Sequence, residues 1–482
     1  MGVDSVLLTI TIGFGFYMAW NIGANDVANA MGTSVGSKAL TLKQAVILAA
    51  ILEFAGAFLV GSHVTDTVRK GMFDPLLFSD DIYNLVYGMM AALLAAGAWL
   101  NIATYFGWPV STSHSIVGAV IGFVLILKGY HAVSWPKVGS IAASWVISPL
   151  LSGSIAYIIF KTIRTKIFRA NDPVKATKKA VPFLVFFVFL ILTLVMVFKG
   201  LKNLNLDLQF SQAIQISAIV GLIFAIISIF VVKKYKFDPA LIKKKQELTR
   251  GQNKEQVVNG LKKVTKDLFS ITKDSGSELK SRISKIEDEV RVLISEVKKS
   301  TQPVQTVQDF DVKRQYTEKI FTGLQILSAC FVAFAHGAND VANAIGPIAA
   351  VVDVLKTKTV SMEVEVAYWI LALGGFGIVV GLATWGYKVI FTIGEKITEL
   401  TPSRGFTAEF SAAITIVFAS KLGLPISTTH TLVGAVLGVG FARGVRSLNL
   451  RVIRDIISSW FITLPASAVL AIIFFYILRL IF

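Results

Sequence analysis

The chain has 482 residues, a mean hydropathy of +0.67, 54% hydrophobic and only 16% charged residues, and a formal net charge of +17. Ordinary soluble domains carry about 25% charged residues, so this composition excludes a soluble enzyme or binding module and implies a polytopic membrane protein. The basic excess is no nucleic-acid signature: residues 233–317 hold 20 Lys/Arg against 12 Asp/Glu and residues 161–180 hold 7 against 1, both between apolar runs. Charge placed in that way reports membrane topology.

About twelve apolar runs have the length of a bilayer-spanning helix, and none shows the short alternating pattern of an outer-membrane barrel, so the expected class is all-α. The first, near 5–22, leads into Gly-Ala-Asn-Asp-Val-Ala-Asn-Ala at 23–30 and lacks a basic segment before it; it is expected to remain as a span. Runs near 43–61, which contains Glu53, and 83–106 follow. The fourth, 111–129, opens on Pro-Val-Ser-Thr-Ser-His at 109–114; the fifth is 138–160. After the basic loop come 181–199 and 213–232.

Residues 233–317 break the apolar pattern. Val257, Leu261, Val264, Leu268 and Ile271, then Ile283, Ile286, Val290, Leu293 and Val297, step by four and three as in a coiled-coil seam. With a turn at Lys273–Glu278, a helical hairpin is expected, in the role of a linker or packing module. The apolar runs resume at 320–336, which ends in the second Gly-Ala-Asn-Asp-Val-Ala-Asn-Ala at 337–344. Then come 364–386, 406–422 with Glu409 near its start, 427–441 behind Pro-Ile-Ser-Thr-Thr-His at 425–430, and 452–481.

The two octapeptides are 314 residues apart, and the fourteen-residue segments at 109–122 and 425–438, identical at nine positions, are 316 apart. The Ser-Trp pairs ending at Trp145 and Trp460 keep the same offset to within a residue. A unit of about 160 residues is therefore duplicated, far longer than any solenoid repeat. The loops after the fifth, seventh and eleventh runs are the basic ones, which places them in the cytoplasm and both termini outside. The first run then travels inward and the eighth outward, so the repeats are inverted, with broken or half helices at the bilayer midplane. That is the architecture of secondary transporters. Four units are expected: 1–165 as the first repeat, 166–232 as two intervening spans with a basic cytoplasmic loop, 233–317 as a cytoplasmic hairpin, and 318–482 as the second repeat. A plasma or inner cell membrane is the expected location, and the reading leaves room for a homo-oligomer.

The motifs suggest the cargo. Gly and Asn weaken helix continuity, and carboxylates inside a span are expensive unless functional. Asn25, Asp26, Asn339 and Asp340 offer oxygen ligands suited to a hard cation, Na⁺ or Mg²⁺, and not to zinc. Asn29 and Asn343 add amide donors. The hydroxyls of Ser111, Thr112, Ser113, Ser427, Thr428 and Thr429 stand at predicted helix starts, where hydroxyl and backbone N–H groups together bind oxyanions if the two starts converge. Neither motif holds Lys or Arg, so an anion beside Asp26 and Asp340 must enter with cations. Cation-coupled anion transport follows.

Catalysis is not expected: Ser113 and His114 are neighbours on a helix start with no third group. His114 and His430 are expected to serve in polar packing. His336 has Ile22 as its repeat mate, which argues against a paired ligand. Cys330 is the only cysteine, so no cofactor-linked redox role is expected.

The paired motifs, Glu-Phe at 53–54 and Gly-Phe-Thr-Ala-Glu ending at Glu409 make the chain resemble the inorganic phosphate transporter (PiT) family, across about two thirds of its length but not 233–317. The resemblance implies inorganic phosphate as substrate and Na⁺ as the co-transported ion, within the sodium-dependent branch. It carries importance onto Asp26, Asp340, Glu53, Glu409 and the Ser/Thr clusters. It also implies alternatives, a proton-coupled permease for phosphate or metal-phosphate, or a sulfate permease.

Overall fold

The computed structural model describes residues 2–61, 72–199, 209–234, 240, 255–268, 277–299, 309–361, 364, 366–421 and 426–482, and among these every regular element is helical. The first half contains α1 (Val3–Gly36), α2 (Leu42–Val60), α3 (Ile82–Phe106), α4 (Thr112–Lys128) and α5 (Trp135–Ile163). Then come α6 (Pro173–Lys199), α7 (Phe210–Lys234), α8 (255–268) and α9 (Ser277–Lys299). The second half contains α10 (Asp309–Asp340), α11 (Ala342–Thr357), α12 (Tyr368–Thr384), α13 (Tyr387–Phe391), α14 (Pro402–Lys421), α15 (Thr428–Arg443) and α16 (Leu450–Ile481).

Each of the twelve expected runs corresponds to helix, but they are not twelve equal spans. Among the described residues eight helical stretches are long and apolar enough to cross a membrane, nine if the pair α12 and α13, bent by 60°, is taken as one. The shortfall lies in α14, rich in buried polar groups such as Ser403, Arg404, Thr407 and Glu409, and in α4 and α15. The latter two have 17 and 16 residues, about 25 Å of helix against a hydrocarbon thickness of about 30 Å. They are the half helices anticipated at the repeats' centre.

The octapeptides behave otherwise. The first lies wholly inside α1, an unbroken helix of 34 residues, and the second is interrupted only at Val341, whose backbone stays in the right-handed helical region. The expectation of broken helices at both copies is therefore corrected. The glycines serve close packing instead: a Cβ on Gly23 would strike the Ile378 backbone of α12, and one on Gly337 the Glu53 backbone of α2. Small residues let membrane helices approach to backbone contact, while the helix keeps its own N–H and C=O groups satisfied.

These contacts also show how the halves interlock. Helix α1 packs on α12 and α10 on α2, while α4 packs on α16 and α15 on α5. Each half thus lends its first and fourth helices to the other's second and fifth, as a two-fold relation between duplicated units requires. The motif glycines make the latter crossings: Gly118 and Gly122 face the Leu464 and Ala468 backbones, and Gly434 and Gly438 face Pro149 and Gly153. This is the small-xxx-small device of membrane helix pairs, present once per half.

Helices α8 and α9 fall within the expected hairpin; the turn between them lies outside the described residues. On α9 the buried stripe runs through Ile283 and Val290, whereas Ile286 and Leu293 of the predicted seam are exposed, so the seam is narrower than the heptad reading suggests.

Candidate substrate and ion site

Local chain geometry places the hydroxyl clusters. Gly107 ends α3 at φ 70°, a left-handed conformation that glycine adopts without strain. Pro109 keeps the residue before it extended, which delays the next helix until Ser111. Ser111 and Ser427 are the N-caps of α4 and α15: their hydroxyls accept the amides of His114 at 3.3 Å and His430 at 3.2 Å. The two helix starts converge. The His114 and His430 rings meet edge to face at 5.0 Å, and Thr429 Oγ1 lies 3.3 Å from the Val110 carbonyl. His430 stacks on Trp460 at 3.8 Å, so these imidazoles pack against rings, as a structural role requires.

The octapeptide helices reach the hydroxyls by exchange between halves. Asn29 Nδ2 donates to Thr429 Oγ1 at 2.9 Å and to Asp26 Oδ1 at 3.0 Å. Asn343 Nδ2 donates to Ser113 Oγ at 3.2 Å and Thr112 Oγ1 at 3.3 Å. Asn29 on Thr429 and Asn343 on Ser113 are the same contact written in the two halves. Asn25 does something else, fastening α1 to the segment that leads into α4. Its Nδ2 donates to Thr104 Oγ1 and the Trp108 carbonyl, each at 3.0 Å, and its Oδ1 accepts from Val110 N at 3.2 Å. Asn339 donates to Asp340 Oδ1 at 2.8 Å. Thr428 is half-buried and lines a narrow cavity of about 50 Å³ with Asn29, His336, Asn339 and Glu409.

His336 occupies the centre of the carboxylates. Its Nε2 is 2.8 Å from Asp340 Oδ2 and 3.7 Å from Asp26 Oδ2, and its Nδ1 is 3.6 Å from Glu53 Oε1. One ligand atom each from Asp26, His336 and Asp340 falls within 4.8 Å of the others. All four side chains are buried; among the described residues no hydrogen bond satisfies Asp26 Oδ2 or either Glu53 oxygen, and Asp340 Oδ2 has only the His336 imidazole beside it. Carboxylate oxygens left so in a low-dielectric interior cost several kcal/mol unless a proton or cation compensates them. The residues therefore fit a cation, though the oxygen-only description no longer holds, since an imidazole stands among the oxygens.

Glu409 forms a second buried acid on α14, bonded by the hydroxyls of Thr33 and Ser328 and by Ser34 Oγ at 3.1 Å. Ser37 Oγ donates to Gln325 Oε1 at 2.6 Å beside it. Sequence reasoning missed these hydroxyls, which belong to no duplicated motif. It also set aside His336 because Ile22 is its repeat mate.

The close-packed glycines explain that asymmetry. Gly23 on Ile378 corresponds to Gly337 on Glu53, and Gly381 on Trp20 corresponds to Gly56 on Phe334, so Ile378 is the counterpart of Glu53. The pair His336 and Glu53 in one crossing is thus Ile22 and Ile378 in the other, with both isoleucines fully buried. The sequence signal was a histidine inside an apolar run; only the fold supplies its partner.

Residues 22–471 match the family described as the phosphate transporter family. The chain is 44% identical over 483 residues to a putative phosphate permease of Chlamydia trachomatis, covering 99% of each. It is 43% identical to inorganic phosphate transporter 2-1, chloroplastic, of Arabidopsis thaliana, covering 97% of this chain and 71% of the relative. A solved structure described as the sodium-dependent phosphate transporter superposes with a TM-score of 0.74 at 38% identity, covering 99% of this chain and 100% of that one.

Proposed function

Because the chain belongs to the phosphate transporter family, we propose that it is a Na⁺-coupled symporter of inorganic phosphate working by alternating access. The observation that carries this reading is the exchanged set of donors: Asn29 with Thr429 and Asn343 with Ser113 and Thr112, each beside a buried aspartate and free of any Lys or Arg. Phosphate would be held by Asn29, Asn343, the hydroxyls of Thr112, Ser113, Thr428 and Thr429, and the N-termini that Ser111 and Ser427 cap. An anion at that place is repelled by Asp26 and Asp340 until cations neutralise them. Binding of the two ions is then mutually reinforcing, which is the basis of coupling.

In this reading Asp26, Asp340 and Glu53 supply the cation ligands, Asn25 and Asn339 orient the helices that carry them, and Glu409 serves a further ion within its hydroxyl cage. The solved sodium-dependent relative supports the choice of Na⁺. The repeats run inverted, with 1–165 and 318–482 as the transport halves, both termini outside and 233–317 in the cytoplasm, as the Lys/Arg distribution suggests.

One observation favours a second reading. His336, flanked by three carboxylates, is the kind of group that carries a proton, so proton-coupled uptake of phosphate or metal-phosphate is the alternative. Reconstituted liposomes separate the two. Labelled phosphate should accumulate under an inward Na⁺ gradient at constant pH; accumulation driven by a pH gradient alone, without Na⁺, would overturn sodium coupling.

A further inference from the structure

A second concentration of ionisable groups lies away from the duplicated motifs. The π-helical end of α5 (Arg164–Phe168), the start of α10, the start of α14 and the end of α15 enclose a cavity of about 370 Å³. Five guanidinium groups line it, Arg164, Arg169, Arg314, Arg404 and Arg443, with one carboxylate, Glu318. It shares no lining residue with the cavity at Asn29 and His336.

Local structure explains part of this cluster. Glu399 accepts from Arg443 Nη2 at 2.8 Å and Arg404 Nη1 at 3.4 Å, and the charge of Arg404, with that of Arg443, holds its carboxyl below the usual range. Arg164 donates to the Ala442 carbonyl at 3.1 Å, near the C-terminal end of α15, and Arg314 lies over the Phe168 ring at 5.7 Å. Glu318 is committed elsewhere: it accepts from Ser403 N at 2.8 Å and from the hydroxyls of Ser403 and Thr401 at 2.9 Å, capping α14. Among the described residues five guanidinium groups stand against two carboxylates, an excess of three positive charges. Among the described residues no carboxylate lies within 4.0 Å of Arg164, Arg169 or Arg314.

Arginine stays charged at any working pH, so these groups cannot relieve their repulsion by losing protons. Arg404, only 8% exposed, is paired with Glu399, whereas Arg164, Arg169 and Arg314 are exposed and line the cavity with no carboxylate partner among the described residues. An anion with several oxygens fits this set, because each guanidinium fork pairs with two phosphate oxygens. Phe160 and Phe168 supply an apolar wall on one side. Basic pockets of this kind between membrane helices suit phosphate head groups. The geometry points to a second oxyanion site here, distinct from the transport site, that binds a phosphate group of two or more negative charges, carried by a soluble phosphate compound or by an anionic lipid.

Purified full-length protein tests this with two probes: pyrophosphate in detergent solution, and nanodiscs of phosphatidylglycerol against phosphatidylcholine, with bound lipid read by native mass spectrometry. The variant Arg169→Ala/Arg314→Ala removes two exposed side chains and is expected to fold, which its unchanged thermal midpoint without ligand would confirm. Asp340→Asn alters the transport site alone. Pyrophosphate affinity, or retention of phosphatidylglycerol over phosphatidylcholine, should fall at least tenfold in the double variant and stay unchanged in Asp340→Asn. Which probe responds identifies the source of the phosphate group. No response to either probe in the wild type, or equal binding by the double variant, would overturn the proposal. Binding lost in Asp340→Asn but kept in the arginine variant would do so too, while leaving the transport site intact.

Discussion

Replacing Asp26 with asparagine removes one buried charge at nearly constant shape, and its consequences can be sized from the geometry. Oδ1 accepts from Asn29 at 3.0 Å and lies 3.3 Å from Thr429 Oγ1, contacts that an amide carbonyl can keep. Turning those bonds from charged to neutral costs about 1 kcal/mol, and removing one carboxylate from a crowded, buried set offsets some of it. Oδ2 is the side that changes: an amide nitrogen replaces the oxygen 3.7 Å from His336 Nε2. A cation about 4 Å from that oxygen would lose about 4 kcal/mol at an effective dielectric of about 20. At about 1.4 kcal/mol per decade the upper bound is roughly a thousand-fold in Na⁺ affinity. The expected outcome is a Na⁺ midpoint raised at least tenfold, weaker phosphate binding at fixed Na⁺, and a melting temperature within a few degrees of wild type. Equilibrium phosphate binding to the purified variant, measured across Na⁺ concentrations, reads both shifts. An unmoved Na⁺ midpoint in folded Asp26→Asn protein would refute the assignment of Asp26 to a sodium site.

Glu409→Gln should lower phosphate uptake at least tenfold in liposomes, because it removes the buried charge and, with the amide oxygen kept towards Thr33 and Ser34, sets an NH2 donor against the Ser328 hydroxyl; uptake within twofold of wild type would exclude Glu409 from the cycle. Gly337→Ala drives a methyl group into the Glu53 backbone and should cost about 1–3 kcal/mol or more, seen as a lower thermal midpoint in detergent, whereas Gly260→Ala in the connecting module meets open space and should leave it unchanged. Deleting residues 250–305 should preserve uptake, since no duplicated motif lies there. In a Cys330→Ser background, Leu293→Cys, an exposed position on α9, should resist impermeant reagent applied from outside and react once the membrane is opened; rapid labelling from outside would reverse the proposed topology.

Much of the site was legible because the chain states it twice. A proline followed by hydroxyls is a helix start wherever it stands, and duplication showed that two such starts belong together. Their convergence, at the His114 and His430 rings, is a property of the fold that agreed with this reading. Helix continuity was not legible. Gly and Asn weaken an isolated helix, but in α1 the motif glycine, Gly23, is spent on close approach and Asn25 on the Val110 segment, so tertiary packing outweighs local propensity. The exact number of spans was not legible for a related reason: α4 and α15 are apolar but short, and their polar starts lie buried inside the protein. His336 was undervalued because symmetry was applied residue by residue. Its partners come from α1, α2 and its own helix, and that adjacency exists only in three dimensions.

The replacement of His336 and Glu53 by Ile22 and Ile378 at the mirrored crossing has an energetic consequence. In the proposed alternating access between inverted halves, chemically identical halves would make the outward-facing and inward-facing conformers the same structure relabelled, and the empty carrier would divide equally between them. A polar pair in one crossing and an apolar pair in the other removes that degeneracy. A bias of only about 1.4 kcal/mol makes one conformer ten times as abundant as the other. For a carrier that works by the proposed alternating access, these four side chains are one contribution to a preferred resting side, at a place where the duplicated sequence stops repeating itself.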